Sequence, residues 1–267
     1  MLEILNYSFF QNALIGGILI GIISSILGVF IVMRKEANIT HSISNFLFLG
    51  IAVSLFLNGN YYLFAIIFGI IASLLIFFIE KTKFITKEST KEIISQTGIA
   101  GGIFLIGFIE NLQLDINSFL FGNILLINNT DLILIFILFI LTIIFFIIFG
   151  KNFLAITINE DIAKAKGIKV DLYNLFFLIF LSLFIGVSIK IFGIFLIGAF
   201  LIIGANTSKI LAKSLKQVFI FSIIISLFSV IFGLFASYFL GTSSGATIVL
   251  LLVLIFITSL FYKKIIK

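Results

Sequence analysis

The chain has 267 residues, of which 62% are hydrophobic and only 10% charged, with a mean hydropathy of +1.36. A soluble domain carries roughly 25% charged residues, so this composition excludes one and indicates an integral membrane protein. Cysteine is absent and histidine occurs once, which excludes disulfides, thiolate metal sites and a zinc site built from several imidazoles. The net charge of +6 sits in short lysine clusters flanking apolar runs, so it reports membrane topology and gives no sign of a nucleic-acid partner.

Taken in chain order, the apolar runs predict an all-α polytopic transmembrane helical bundle. About nine crossings are expected, at 13–33, 40–57, 61–79, 93–109, 132–149, 171–190, 192–210, 217–240 and 243–262, or eight if a short one is re-entrant. The runs lack the alternation of a barrel, and open sheets cannot cross lipid. Together they form one transmembrane domain over residues 1–267. Met1-Leu-Glu3 lacks a basic leader, so the first span is expected to be retained.

The positive charges mark alternate junctions: Arg34 and Lys35; Lys81, Lys83, Lys87 and Lys91; Lys151, Lys164, Lys166 and Lys169; Lys209, Lys213 and Lys216; Lys263, Lys264 and Lys267. Positive-inside topology places these in the cytoplasm of a multi-pass cell (inner) membrane protein, with the N-terminus outside and the C-terminus cytoplasmic. Lys190 is the exception, and could snorkel at the outer surface. The amphiphilic stretch 114–128 is too short to cross and reads as a half-helix on the outer face.

The second span opens with its most polar segment, Asn38-Ile-Thr-His-Ser-Ile-Ser-Asn45. Helical spacing aligns Asn38, His41, Ser42 and Asn45 on one stripe, which should face the bundle interior or a watered path. His41 and Asn45 could offer an imidazole nitrogen and an amide oxygen to a passing cation, with Ser42 adding a further oxygen. The same residues could instead be interhelical hydrogen-bonding glue.

A polar island follows the fifth span, Thr157-Ile-Asn-Glu-Asp-Ile-Ala-Lys-Ala-Lys-Gly167. It reads as a short capped helix. Thr157 and Glu160 fit a capping box, Asn159 is a second N-cap candidate, Glu160 and Asp161 complement the positive helix end, Glu160 and Lys164 form an i,i+4 pair, and Gly167 terminates. Such an element either docks something soluble or merely connects two spans. Further on, the glycines between 193 and 208 suit close helix packing, and Asn206 and Thr207 could line a path or cap that span. No Gly-x-x-x-x-Gly-Lys loop occurs, so active transport would draw on a partner or an ion gradient.

Several blocks, in order, resemble the permease subunit of the zinc/manganese-type ABC transporters. They are Leu27-Gly-Val-Phe-Ile-Val-Met-Arg34, residues 40–50, Phe119-Leu-Phe-Gly-Asn-Ile-Leu125, Asn159-Glu-Asp-Ile-Ala-Lys-Ala-Lys-Gly-Ile168, residues 190–205 and residues 233–249. The resemblance implies a homodimeric pore that imports a divalent metal ion (zinc, manganese or iron) delivered by an external binding protein. It also implies separate cytoplasmic ATPase subunits that use ATP, and no permanently bound cofactor. The polar island then corresponds to the coupling helix, carried by Asn159, Glu160, Asp161, Ala163, Ala165 and Gly167, with the two alanines allowing close approach to the ATPase. The family's Gly-Asp-x-Leu-x-His pattern in the second span, expected to line the metal path, is altered: His41 stands at the Asp position and Asn45 at the His position. The path set is therefore His41, Asn45, Ser42 and Asn38, with His41 the metal-contacting residue. A secondary transporter or channel working without an ATPase is the alternative.

Overall fold

The computed structural model describes residues 7–82, 84–109, 120–122, 124 and 127–266. Most of the 114–128 stretch, and residues 119, 123 and 125 of the Phe119–Leu125 block, lie outside them. Ten helices are described: α1 (Ser8–Met33), α2 (Asn38–Phe56), α3 (Tyr61–Thr82), α4 (Lys87–Ile106), α5 (Asn129–Ile158), α6 (Glu160–Ala165), α7 (Val170–Phe192), α8 (Ile194–Leu211), α9 (Leu215–Leu240) and α10 (Ser244–Ile266).

Eight of these, all but α4 and α6, are long and apolar enough to cross a membrane. The expected crossing at 93–109 is α4, which is 20 residues long but carries Lys87, Glu88, Lys91 and Glu92 in its first six. Those charges, and not a want of length, set it apart from the eight; it runs against α2 in the most extensive helix pair of the molecule. At 1.5 Å per residue its length is about 30 Å, the thickness of a hydrocarbon core.

Helices α1 and α2 form the centre, with 72% of the apolar window of each buried, and α7 follows at 67%. By contrast only 17% of the window of α5 is buried, so this 30-residue helix presents most of its isoleucines and phenylalanines to lipid and touches the bundle through α1 and α7. The remaining helices pack as two groups around the centre. Helices α3 and α4 flank α2, while α8, α9 and α10 pack on one another beside α1.

Small residues permit the close contacts. A Cβ at Gly98 of α4 would lie 2.3 Å from the carbonyl oxygen of Asn45, so any side chain there would push α4 off α2. Gly193, the single residue between α7 and α8, has φ +81° and lies against Leu120 and Gly122, where a Cβ would meet backbone at 2.4 Å. Only glycine combines that torsion with that proximity. Packing thus accounts for the glycines of 193–208. Asn206 and Thr207 lie inside α8 and donate to the carbonyls of Ile202 and Ile203, so they do not cap the helix end.

Candidate functional site

The polar stripe of α2 divides in two. Ser42 and Asn45 are buried, whereas Asn38 and His41 are exposed. The Ser42 hydroxyl lies 2.6 Å from the carbonyl oxygen of Lys91 on α4 and 3.0 Å from that of Asn38. The Asn45 amide nitrogen donates to the Ser95 hydroxyl on α4 at 2.8 Å and lies 3.1 Å from His41 Nε2. Ser42 therefore acts as glue between α2 and α4, whereas Asn38 and His41 are exposed and Asn45 lies buried behind them. Asn45 also borders a cavity of about 160 Å³ that is otherwise apolar, formed by Phe48, Ile99, Ile103, Leu120, Ile194 and Phe195. The α2–α4–α8 side of the bundle thus carries a polar seam along an unfilled apolar groove.

Among the described residues no three His, Asp or Glu side chains come together as a metal site.

At the lysine-rich end, α6 is built as a self-contained helical turn. Asn159 is its N-cap: its backbone is extended (φ −157°, ψ 114°) and its side-chain oxygen accepts from the Ile162 N–H at 3.0 Å. The expected capping role of Thr157 is overturned, because α5 continues through Ile158 and holds Thr157 in helical geometry, with its buried hydroxyl unpartnered. Gly167, at φ +79°, closes the turn by a Schellman arrangement in which the N–H of Ile168 donates to Ala163 and that of Gly167 to Lys164. Glu160 and Lys164 pair at 3.0 Å; donation from Lys164 is the main reason the Glu160 carboxyl is held below its usual range. Both are well exposed, so the pair contributes only a few tenths of a kcal/mol.

Ala163 does not face outward. It is fully buried against Ile156 and Val170, and seats α6 on its own bundle, whereas Ala165 is exposed. The outward apolar surface comes instead from Ile158 and Ile162, which are 73% and 56% exposed. Sequence reasoning passed over these two, although their i,i+4 spacing within a charged segment was the signal. Beside α6 opens a charged cleft of about 460 Å³ lined by Glu80, Lys81, Lys87, Glu160, Lys164 and Asp171 among others. Asn174, which also lines it, accepts from Arg34, whose guanidinium lies over the Phe177 ring at 5.4 Å.

The opposite end carries a buried polar knot. Asp131 completes a capping box with Asn128 at the start of α5, accepts from the Tyr62 hydroxyl, and pairs with Lys190 of α7 at 2.7 Å. Lys190, read from sequence as a free snorkelling exception, is thus neutralised by a carboxylate 59 residues away in the chain. The knot joins α3, α5 and α7.

The family model described as "ABC 3 transport family" matches residues 6–263. The chain belongs to the ABC 3 transport family. Its ABC 3 relatives include the high-affinity zinc uptake system membrane protein ZnuB of Haemophilus influenzae, 31% identical over 94% of this chain and 97% of the relative. Another is the manganese import system permease protein ScaB of Streptococcus gordonii, 33% identical over 96% and 92%. Among solved structures, PsaBC from Streptococcus pneumoniae in complex with Fab superposes with a TM-score of 0.86 at 31% identity, covering 96% of this chain and 94% of that one. As a member of the ABC 3 family, the chain keeps the family's bundle while carrying His41 and Asn45 in the second helix.

Proposed function

We propose that this chain is the permease subunit of an ABC importer for a divalent transition metal, zinc or manganese. The observation that carries this reading is the pairing of two separate features on one bundle. One is a polar seam, the exposed His41 joined to the buried Asn45, on the α2–α4–α8 side; the other is a capped helix, α6, with the outward-facing Ile162 beside Ile158 at the lysine-rich end. The relatives named for zinc and manganese uptake support the cargo class.

In this reading the lysine-rich end is cytoplasmic, placing the N-terminus outside and the C-terminus inside a cell membrane. Separate ATPase subunits hydrolyse ATP and dock on Asn159, Glu160, Asp161, Ile162, Ala165 and the Gly167 turn. A second copy of the permease closes the groove beside Asn45, where Ile103 and Phe195 stand 60% and 52% exposed. An external binding protein delivers the metal at the knot end. Asn38, His41 and Asn45 line the path, and Ser42 holds its wall. His41 contacts the ion and retains a nitrogen donor where the family pattern has a carboxylate.

Replacing His41 by Ala is expected to lower metal uptake at limiting concentration by about tenfold or more and to alter the preference between Zn²⁺ and Mn²⁺. Uptake and preference both unchanged, measured with a radiolabelled metal, would remove His41 from the path.

A further inference from the structure

We propose that Glu92 of α4 supplies the cargo path with the carboxylate that α2 lacks, so that the ion meets His41 and Glu92 at one level of the groove. The inference rests on reading the α2–α4–α8 side as the path. Two contacts fix the register of α4 on α2: Ser42 against the Lys91 carbonyl, and Asn45 against Ser95. His41, one residue before Ser42, is therefore level with residues 91 and 92.

Helical phase then places Glu92. At ~100° per residue, Ser95, Gly98 and Gly102 mark the α4 face packed against α2, and Glu92, Ile99 and Ile103 follow one another along the adjacent flank. Gly98 and Gly102 lie against Asn45 and Phe48, while Ile99 and Ile103 border the cavity shared with Asn45 and Phe48. That flank is the groove, and Glu92 continues it about two turns nearer the lysine-rich end. The preceding residue behaves differently: Lys91 is buried and paired with Glu80 of α3 at 3.6 Å, so its charge is already compensated elsewhere. Glu92 is exposed, and among the described residues no ion pair engages it; it accepts one hydrogen bond, from the Gln96 amide at 2.7 Å. A carboxylate without a cation partner, level with the only imidazole of the chain, is a donor set that suits Mn²⁺ or Zn²⁺ and attracts a dication where neutral oxygens alone would not.

The test uses the permease reconstituted with its ATPase and binding-protein partners in proteoliposomes, with Mn²⁺ and Zn²⁺ as probes. Glu92→Gln is expected to raise the metal concentration for half-maximal uptake about tenfold or more, with ATPase co-purification unchanged. Glu92→Asp, which keeps the carboxylate and leaves His41 intact, is expected to retain uptake closer to the parent than Glu92→Gln does. Unchanged uptake in Glu92→Gln would overturn the proposal and leave Glu92 a solvated helix residue. A loss that comes with reduced ATPase co-purification or reduced thermal stability would likewise overturn it, as a structural effect. If Asn45→Ala and His41→Ala also leave uptake unchanged, the path reading itself fails; if they impair it while Glu92→Gln does not, only the role of Glu92 fails.

Discussion

Replacing Lys190 by Met is expected to destabilise the protein by about 3 kcal/mol, more than any other single change at the two ends of the bundle. The reason is the partner left behind. Asp131 is only 2% exposed and faces Lys190 at 2.7 Å; without the ammonium, a buried carboxylate keeps only the Tyr62 hydroxyl and the backbone N–H of Asn128. Breaking one partner of such a pair costs far more than replacing both, because the double replacement leaves no stranded charge. Lys190→Met with Asp131→Leu should therefore recover part of the loss, although the capping box at Asn128 is also removed and about 1 kcal/mol of it stays lost. Thermal unfolding of the purified protein in detergent reads the effect. A single variant as stable as the parent would show that water or lipid headgroups already satisfy Asp131.

The second large effect concerns α6. Exchanging residues 160–167 for a flexible Gly/Ser segment of equal length is expected to abolish co-purification with the ATPase and all ATP-driven uptake, while the membrane bundle stays folded. Folding is spared because α6 reaches the bundle through a small contact, Ala163 against Ile156 and Val170, and its Glu160–Lys164 pair is solvent-screened. Function is lost because the segment holds the capped geometry and the outward Ile162 that a docking partner would grip. Ile158 lies at the end of α5 and survives the exchange, so retained assembly would assign the contact to Ile158 and the neighbouring cleft and remove α6 from the coupling role.

Apolar runs made the bundle legible before any coordinates, since crossing a bilayer demands long, internally hydrogen-bonded helices. Their ends were less legible. Thr157 and Glu160 satisfy the local capping pattern, but the helical run from Asn129 carries on past Thr157, and the extended residue is Asn159. Helical spacing puts the four polar residues of α2 on one stripe, yet the structure divides them into the exposed Asn38 and His41 and the buried Ser42 and Asn45. What periodicity could not supply was the direction from which α4 approaches, and that approach buries Ser42 while leaving His41 open. Pairings distant in sequence were invisible for the same reason. Lys190 read as an anomaly because nothing local reveals Asp131, and Lys91 read as one of four flanking lysines although it is buried against Glu80. Ala163 was judged by size alone; its burial depends on Val170, which returns to it only after the Gly167 turn.

A conduit powered from outside itself can be tested directly with purified components. Metal uptake would be measured in proteoliposomes holding the chain alone, under imposed proton and sodium gradients, and again with its ATPase and external binding protein. The expected result is no gradient-driven flux from the chain alone and ATP-dependent accumulation of Zn²⁺ or Mn²⁺ with the partners present. Sustained uptake by the chain alone, unchanged when ATPase and ATP are added, would contradict it.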